Sequence, residues 1–193
     1  MDVKIGISNH HVHLCQQDLE TLFGENYMLI KDRELSQPGE FASTARVTIK
    51  TYKSEITNVR VLGPIRDYTQ VEISKTDAIR LGINPPVRES GDLIDSAAVT
   101  LIGPAGEIDL LKGCIIASRH IHLNNEDLVK YGLQNKTKVN VKLLGPKGGI
   151  IDNVSLKIGT NYRLELHLDT DDANAHLIKQ GDIGIILSGD KND

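Results

Sequence analysis

The sequence is poor in the residues that stack on bases or cross-link a small secreted domain. Its 193 residues include no Trp, two Phe and two Cys, and aromatic residues make up 4% of the chain. With a formal net charge of −4, the chain has no basic footprint for nucleic acid and little with which to stack bases. Two cysteines do not make a disulfide framework, so we expect Cys15 and Cys114 to be reduced thiols.

Membrane and nucleotide-binding signatures are also missing. No apolar run is long enough to cross a bilayer, and residues 1–4 lack a signal-peptide pattern. No glycine-rich phosphate loop occurs, and strands do not alternate with long helices. A hydrophobic fraction of 39% over 193 residues is typical of one or two compact domains. We therefore expect a globular cytoplasmic protein that binds neither membranes nor nucleic acid.

What the chain does contain is two His-X-His tripeptides in similar settings. The first pairs His11 with His13 and the second pairs His120 with His122, each among β-prone aliphatic residues. In a strand, residues i and i+2 point to the same face, so each tripeptide places two imidazoles side by side. Neutral imidazole is a good ligand for divalent zinc, cobalt, nickel or iron.

The two tripeptides belong to an internal repeat. An offset of 109 residues separates the two histidine pairs, and the same offset separates the Asp-Leu pairs that begin at Asp18 and Asp127. A single His-X-His is more often part of the solvated face of a strand, so either motif alone would carry little weight. Two copies in one register favour a metal site.

A second part of the repeat supplies one more candidate ligand in each half. Residues 71–78 resemble residues 165–173 with an offset of 95, which places Glu72 on His167. Three protein ligands with a fourth position open is the pattern of a catalytic zinc site, whereas structural zinc is usually closed by four. The sequence therefore predicts two metal centres, composed of His11, His13 and Glu72 and of His120, His122 and His167.

Most of the remaining chain alternates or is rich in Val, Ile and Thr, which is typical of strands. The predicted strands are residues 47–50, 57–62, 70–74, 97–102, 138–143, 154–158, 162–168 and 183–187. Short helices are expected over residues 17–23, 75–81, 125–131 and 171–180, with Asn124 capping the third. Many short strands with turn signals between them favour small β-barrels or sandwiches over a parallel α/β sheet.

Several longer motifs, in order along the chain, resemble the phosphate propanoyltransferase family, the zinc-dependent phosphotransacylases linked to bacterial microcompartments. The resemblance covers residues 5 to about 186. Its motifs are Asn-x-His-Val-His-Leu (9–14), Leu-Ser-Gln-Pro-Gly (35–39), Val-Leu-Gly-Pro-x-Arg (61–66), Gln-Val-Glu-Ile-Ser-x-Thr-Asp-Ala (70–78), Pro-Val-Arg-Glu-Ser-Gly-Asp (86–92) and Ser-Arg-His-Ile-His (118–122).

This resemblance implies a mainly β fold of two similar small β-barrel domains, capped by short helices, that exchange a strand. One domain would comprise residues 1–34 and 123–193, completed by the N-terminal His-X-His strand. The other would comprise residues 35–122, completed by the second His-X-His strand. Each half of the repeat begins with such a strand, which fits this expectation.

The resemblance also implies site residues. It implies a pair of divalent metal ions, zinc in the family, bound by the two ligand sets above, and Arg66 matches the arginine that binds inorganic phosphate. The positions that match coenzyme A contacts are Ile7, Ser8, Asn9, Lys53, Arg60 and Asn174. The family arginine of the first motif is His10 here, whereas Arg119 retains it in the second, and we do not count His10 as a metal ligand.

The implied reaction interconverts a short-chain acyl-CoA, propanoyl-CoA or acetyl-CoA, plus phosphate with acyl phosphate plus coenzyme A. Because the sequence offers no Ser-His-Asp arrangement, direct attack by phosphate is expected, with Cys15 as the one alternative nucleophile. The ligand sets alone also fit a metal-dependent thioester or ester hydrolase, or a binding module whose metal sites are closed. The sequence does not determine the acyl chain length, the identity of the metal or the oligomeric state, and a homo-oligomer is one possibility.

A prediction about location follows from the same resemblance. Microcompartment members of the family often carry an N-terminal amphipathic helix that directs encapsulation. Here the first family strand begins within a few residues of Met1, so we expect no encapsulation peptide and a free cytoplasmic enzyme. Co-purification with shell proteins would contradict this expectation.

Overall fold

A computed structural model describes residues 1–187, which form fourteen strands and four short helices and confirm the predicted mainly β class. The strands are β1 (Asp2–Ser8), β2 (His11–His13), β3 (Lys31–Glu34), β4 (Phe41–Lys50), β5 (Glu55–Gly63), β6 (Gln70–Glu72), β7 (Val87–Arg88), β8 (Ala97–Ile102), β9 (Glu107–Ala117), β10 (His120–Leu123), β11 (Lys138–Leu143), β12 (Gly149–Ile158), β13 (Glu165–Asp169) and β14 (Ile183–Leu187). The helices are α1 (Gln16–Phe23), α2 (Lys75–Leu81), α3 (Asn125–Lys130) and α4 (Thr170–His176). Within this range, every helix is too short or too polar to cross a bilayer.

The first of two compact units is a closed six-stranded barrel, which we call the C-terminal barrel. It comprises residues 1–8, residues 36–38 and the described residues from Ser118 onward. Its strands follow the order β1, β13, β10, β12, β11 and β14, and β14 pairs back onto β1. Alternate residues of each strand face its core, which includes the fully buried Ile5, Ile121 and Leu166.

The second unit, which we call the middle barrel, comprises residues 9–35 and 39–117. Its strands β4, β5, β2, β6, β9 and β8 also close on themselves, because β8 pairs with both β9 and β4. Two further strands lie outside this ring, with β3 paired to β4 and β7 paired to β9. Val12, Val61 and Leu101 lie in its core and are fully buried.

The two barrels repeat one pairing scheme, as the sequence repeat predicts. In the middle barrel, β2 runs parallel to β5 and antiparallel to β6. In the C-terminal barrel, β10 runs parallel to β12 and antiparallel to β13. The next strand in each ring is again parallel, β9 beside β6 and β1 beside β13. Each His-X-His strand therefore occupies the same position in its own barrel.

The division into domains differs from the prediction. The strand His11–His13 lies in the middle barrel and not in the C-terminal one, and the strand His120–Leu123 lies in the C-terminal barrel and not in the middle one. The N-terminal strand that completes the C-terminal barrel is β1, which ends at Ser8, and the middle barrel is completed by β9. The physical reason is a two-residue break before each His-X-His, at residues 9–10 and 118–119, where the chain leaves one unit for the other.

Local chemistry explains where the helices begin. The side chains of Ser74, Asn124 and Asp169 cap α2, α3 and α4 by accepting hydrogen bonds from backbone N–H groups of the first turn, at 3.1, 2.8 and 2.8 Å. The predicted cap at Asn124 is confirmed. Helix α1 begins after Cys15, whose side chain makes no capping bond. Each helix follows a strand that carries candidate ligands, and the three caps stand two residues after Glu72, His122 and His167.

Ile5 tests the assignment of β1 to the C-terminal barrel. Its side chain is fully buried there and it pairs with Leu166, so Ile5→Ala should lower the free energy of unfolding by about 2–5 kcal/mol. Lys4 on the same strand is exposed, and Lys4→Ala should change it by less than about 0.5 kcal/mol. Urea denaturation measures both, and hydrogen exchange over residues 118–187 locates the loss. Equal stabilities of the two variants would contradict the assignment.

Candidate metal centres

The first candidate centre, which we call the middle centre, consists of His11, His13 and Glu72. The antiparallel register of β2 and β6 places Glu72 opposite His11 and Gln70 opposite His13. The Nε2 atom of His11 lies 3.3 Å from Oε2 of Glu72, and one ligand atom from each of the three side chains lies within 4.8 Å of the others. All three residues are buried, so the donors face each other away from bulk water.

The second candidate centre, the C-terminal centre, consists of His120, His122 and His167. The register of β10 and β13 places His167 opposite His120 and Glu165 opposite His122, which repeats the middle centre strand for strand. The Nε2 atoms of His120 and His122 are 3.0 Å apart. Two imidazole lone pairs at this distance repel each other unless a proton or a cation lies between them, so the pair fits a bound cation.

In each centre a backbone carbonyl fixes the tautomer of the first histidine. Nδ1 of His11 lies 2.8 Å from the carbonyl oxygen of Asn9, and Nδ1 of His120 lies 2.8 Å from that of Ser118. A carbonyl oxygen only accepts hydrogen bonds, so Nδ1 carries the proton and Nε2 keeps its lone pair in the neutral ring. Such carbonyl contacts are the usual way in which metal-ligating histidines are oriented.

Electrostatics favour neutral imidazole in the C-terminal centre and an ionised carboxylate in the middle centre. Burial, together with the neighbouring His167 and His120 rings, lowers the pKa of His122 to about 2. Burial raises the pKa of Glu72, but the charge and hydrogen bond of His11 outweigh it and hold that pKa far below its usual range. Burial lowers the pKa of His11, and Glu72 more than offsets this, so the net pKa is raised. A divalent cation would replace the proton that His11 and Glu72 share.

Both donor sets fit a divalent transition metal. Two imidazoles with one carboxylate, and three imidazoles, are ligand sets that suit zinc and its neighbours in the first transition row. Among residues 1–187 these two groups are the clusters of three or more potential ligands. A buried Nδ1 of His122 without a hydrogen-bond partner marks the C-terminal centre as polar and incompletely satisfied.

Arg66 is linked to the middle centre through two side chains. Its Nη1 donates to the hydroxyl oxygen of Ser90 at 3.0 Å, and Nε2 of Gln70 donates to the same oxygen at 2.9 Å. Gln70 also donates to Oε1 of Glu72 at 2.5 Å. The positive charge of Arg66 helps to lower the pKa of Glu72, and it opposes the net rise in the pKa of His11. A hydrogen-bonded chain thus joins a guanidinium to a candidate metal ligand.

The structure shows what His10 does in place of an arginine. Its Nδ1 lies 3.0 Å from Oδ2 of Asp77 at the start of α2. In the C-terminal barrel, Nη2 of Arg119 lies 3.1 Å from Oδ1 of Asp172 at the start of α4. His10 and Arg119 therefore contact equivalent carboxylates, and neither belongs to a ligand cluster.

The residues expected to contact coenzyme A fall in both units. In the C-terminal barrel, the backbone N–H of Ile7 donates to Oε1 of Gln180 at 2.7 Å, Ser8 pairs with Asp169, and Asn174 is exposed on α4. Ser8 and Ile7 lie on the strand that neighbours His167, since β1 pairs with β13.

In the middle barrel, the other three expected contacts separate into two places. Arg60 lies on β5 opposite His11, and Asn9 precedes β2 and contacts His11 through its carbonyl oxygen, so the structure brings both to the middle centre. The guanidinium of Arg60 donates to Asp32 at 2.7 Å. Lys53 lies in the turn before β5, at the other end of that strand, and its Nζ donates to the carbonyl of Ile79 at 3.2 Å. The structure therefore does not bring Lys53 to the centre.

Neither cysteine joins a ligand cluster. Cys114 is fully buried in the core of the middle barrel, and burial raises its thiol pKa to about 12, which keeps it protonated. Cys15 is half-buried before α1, and its Sγ lies 3.5 Å from the hydroxyl oxygen of Thr69.

The sequence reasoning missed the side chains that surround the ligands. Gln70 and Glu165 stand two residues before Glu72 and His167 and are separated by the same 95-residue offset, so the repeat could have revealed them. Burial raises the pKa of Glu165, but hydrogen bonds from His167 and Ser36 outweigh it and leave a net lowered pKa. No short-range pattern connects Ser36 to Glu165, which lie 129 residues apart.

Comparison with known proteins shows the family to which this chain belongs. A family model described as phosphate propanoyltransferase matches residues 4–179. A protein named phosphate propanoyltransferase from Thermotoga maritima is 50% identical over 186 residues, covering 96% of this chain and 89% of the relative. Proteins of the same name from Priestia megaterium and Rhodopseudomonas palustris are 47% and 41% identical, covering 95% and 94% of this chain and 85% and 80% of those relatives.

The protonation of His122 is testable in the metal-free protein. Because burial and the neighbouring rings lower its pKa from 6.5 to about 2, the ring should stay neutral in NMR titrations for as long as the protein remains folded. Unfolding lets this ring bind a proton below about pH 6.5, so His122 should make the folded state less stable as pH falls below that value. A titration midpoint of the His122 ring near pH 6 in the folded protein would contradict this.

Proposed function

Because this chain belongs to the phosphate propanoyltransferase family and is a phosphate acyltransferase, we propose that it exchanges phosphate and coenzyme A on a short acyl group. Propanoyl-CoA or acetyl-CoA plus phosphate would give acyl phosphate plus free coenzyme A, and the reverse. The observation that carries this proposal is the hydrogen-bonded chain from Arg66 through Ser90 and Gln70 to Glu72. It holds a group suited to phosphate beside a cluster suited to a cation.

We propose zinc as the ion at both centres. His11, His13 and Glu72 would hold one ion, and His120, His122 and His167 would hold the other. A bound divalent ion supplies Lewis-acid polarisation of a carbonyl or phosphoryl oxygen and a template for the reactants. The chain contributes fixed orientations of the His11 and His120 rings. Because a backbone carbonyl holds the proton on Nδ1 of each ring, Nε2 is the nitrogen that would bind the ion.

Arg66 is proposed to bind the phosphate. A guanidinium donates two parallel hydrogen bonds to a phosphate, which a lysine ammonium cannot do. Ser90 holds Nη1, and the only carboxylate that the structure pairs with Arg66 among residues 1–187 is Glu40, at 3.8 Å. This separation exceeds a hydrogen bond, so phosphate could displace Glu40 without breaking a strong contact.

The hydroxyl of Ser90 would assist Arg66. Its oxygen accepts from both Arg66 and Gln70, which uses its two lone pairs. Its own O–H therefore remains directed elsewhere and suits an oxygen of the bound phosphate. Holding phosphate in line with a thioester converts a bimolecular encounter into a nearly unimolecular one, worth roughly 7–11 kcal/mol of the barrier.

Coenzyme A is proposed to contact Ile7, Ser8, Asn9, Lys53, Arg60 and Asn174. Arg60 and Asn9 have the strongest structural support, since both lie at the strand end that carries His11. Arg60 is partly exposed and paired with the exposed Asp32, so a phosphate of the cofactor would compete for the guanidinium. Lys53 has the least support because it lies at the opposite end of β5.

Direct attack by phosphate is proposed over an acyl-enzyme. The thiol of Cys15 is the alternative nucleophile, but its neighbour at 3.5 Å is the neutral hydroxyl of Thr69, whose one proton is donated to Asp18 at 2.5 Å. The Thr69 hydroxyl would not take the proton from the thiol, so this contact does not supply the general base that an acyl-enzyme needs.

Arg66→Gln tests the phosphate site. Loss of charge-assisted hydrogen bonds should lower kcat/KM for phosphate by about 10- to 150-fold, with a much smaller change in KM for acyl-CoA. Arg66→Lys should fall between, because it keeps the charge and loses the planar fork. Arg80→Gln, an exposed arginine on α2, should behave as the wild type. Unchanged phosphate kinetics in Arg66→Gln would refute the role of Arg66.

Metal removal combined with a thiol-release assay tests the reaction itself. Wild-type protein should contain two equivalents of divalent ion, and chelator-treated protein should lose activity and regain it with Zn²⁺. Release of coenzyme A should require phosphate and should yield acyl phosphate in equal amount. Release that proceeds equally well without phosphate would indicate the thioester hydrolase instead, and full activity without ions would overturn the metal-assisted reaction.

A further inference from the structure

Beside the C-terminal centre lies a buried carboxylate that the proposed reaction does not use. Glu165 is 3% exposed, stands two residues before His167 on β13, and is opposite His122 across the strand pair. Its Oε2 lies 2.8 Å from Nε2 of His167. A buried carboxylate needs hydrogen-bond partners, and His167 is one of them.

The surroundings of Glu165 fix its carboxylate in place. The hydroxyl of Ser36 donates to Oε2, and Nε2 of Gln37 lies 3.4 Å from the same oxygen. Gln37 is itself held by two backbone bonds to Arg163, at 3.0 and 3.1 Å. A Cβ at Gly6 would come within 3.1 Å of the carboxyl carbon, so the backbone at Gly6 also lies close against Glu165.

The hydrogen bond to Glu165 decides which nitrogen of His167 is available. An ionised carboxylate only accepts, so Nε2 of His167 carries the proton in this contact. The neutral ring then has its lone pair on Nδ1. The carbonyl contacts of His11 and His120 place a proton on Nδ1 instead, so Nε2 of each ring faces its cluster, where it lies near Glu72 and His122 respectively.

In both barrels, the residue two positions before the third candidate ligand is complementary to that ligand in hydrogen bonding. In the middle centre the third ligand is a carboxylate, Glu72, and the residue two before it is Gln70, whose amide donates to it at 2.5 Å. In the C-terminal centre the third ligand is an imidazole, His167, and the residue two before it is an acceptor, Glu165. Each third ligand therefore has a partner of the opposite hydrogen-bonding character.

We propose that Glu165 is a positioning residue that holds His167 through its Nε2–H so that Nδ1 binds the ion of the C-terminal centre. It also brings to that centre, one hydrogen bond away, the negative charge that Glu72 brings to the middle centre directly. This inference rests on the proposed function, because it requires that the C-terminal centre binds a divalent ion. Carboxylates that orient ligating histidines typically change metal affinity about 10- to 100-fold.

A metal titration with Co²⁺ tests the proposal on the full chain. Wild type should take up two equivalents, and His167→Ala identifies which of them belongs to the C-terminal centre. Glu165→Gln, of nearly the same shape, should weaken that equivalent by about 10- to 100-fold and leave the other unchanged. Glu126→Gln, which removes an exposed carboxylate on α3, is the matched charge control and should bind as the wild type.

A double-mutant cycle separates action through His167 from direct ligation. If Glu165 acts through His167, adding Glu165→Gln to His167→Ala should cause no further loss of affinity. A further loss of the same size would show that Glu165 is itself a ligand and would overturn the proposal. Unchanged metal affinity in Glu165→Gln would also overturn the proposal. If the wild type still bound two ions in that case, the proposed function would be unaffected.

A measurement without any variant covers the case in which Glu165→Gln does not fold. Nitrogen-detected NMR of the metal-free wild type should show His167 protonated on Nε2, and His11 and His120 protonated on Nδ1. His167 protonated on Nδ1 would overturn the proposal. A wild type that binds no divalent ion would overturn both the proposal and the metal-assisted reaction. A wild type that binds two equivalents, with affinity unchanged in Glu165→Gln, would overturn the role of Glu165 alone.

Discussion

The antiparallel register between a His-X-His strand and its neighbour is the constraint on which both candidate centres depend. Cross-strand neighbours bring their Cβ atoms to about 4.5–5.5 Å, close enough for the side chains to share one ion. A slip of one residue would turn the imidazoles toward the core. Val12 and Ile121, the middle residues of the tripeptides, prevent that slip because they are fully buried and pair with Val71 and Leu166. The hydrophobic cores therefore hold the ligands in place.

The same constraint explains how much of this protein could be predicted from its sequence. Period-two spacing and the internal repeat are visible in the sequence itself, so they predicted the two groups that the structure assembles, including the match of Glu72 with His167. Strands such as β8 and β11 were predicted with their observed bounds because their alternation is complete. Helix α4 ends at His176, earlier than residue 180, since Leu177 adopts a left-handed conformation that terminates it.

Which barrel each strand joins could not be predicted in the same way. Residues 2–8 and 11–13 read as one β-prone stretch, and no composition or period tells which barrel a strand will join. That choice depends on non-local pairing, Ile5 with Leu166 and Val12 with Val71. Similarly, the contact of Ser36 with Glu165 depends on the fold and on no local pattern. Long-range partners of polar residues are what the sequence alone does not reveal.

The difference between Gln70 and Glu165 follows from the cost of burying charge. Two neighbouring buried carboxylates would repel each other and raise each other's pKa, so one of them would be protonated unless an ion bound. In the middle centre Glu72 already carries a charge, and a neutral amide at position 70 stabilises it by donating a hydrogen bond. In the C-terminal centre the third ligand is neutral, so the partner position tolerates a carboxylate, which His167 and Ser36 stabilise by donating to it. Each candidate centre thus has one carboxylate beside its imidazoles, which is a member of the cluster in the middle barrel and lies one hydrogen bond from it in the C-terminal barrel.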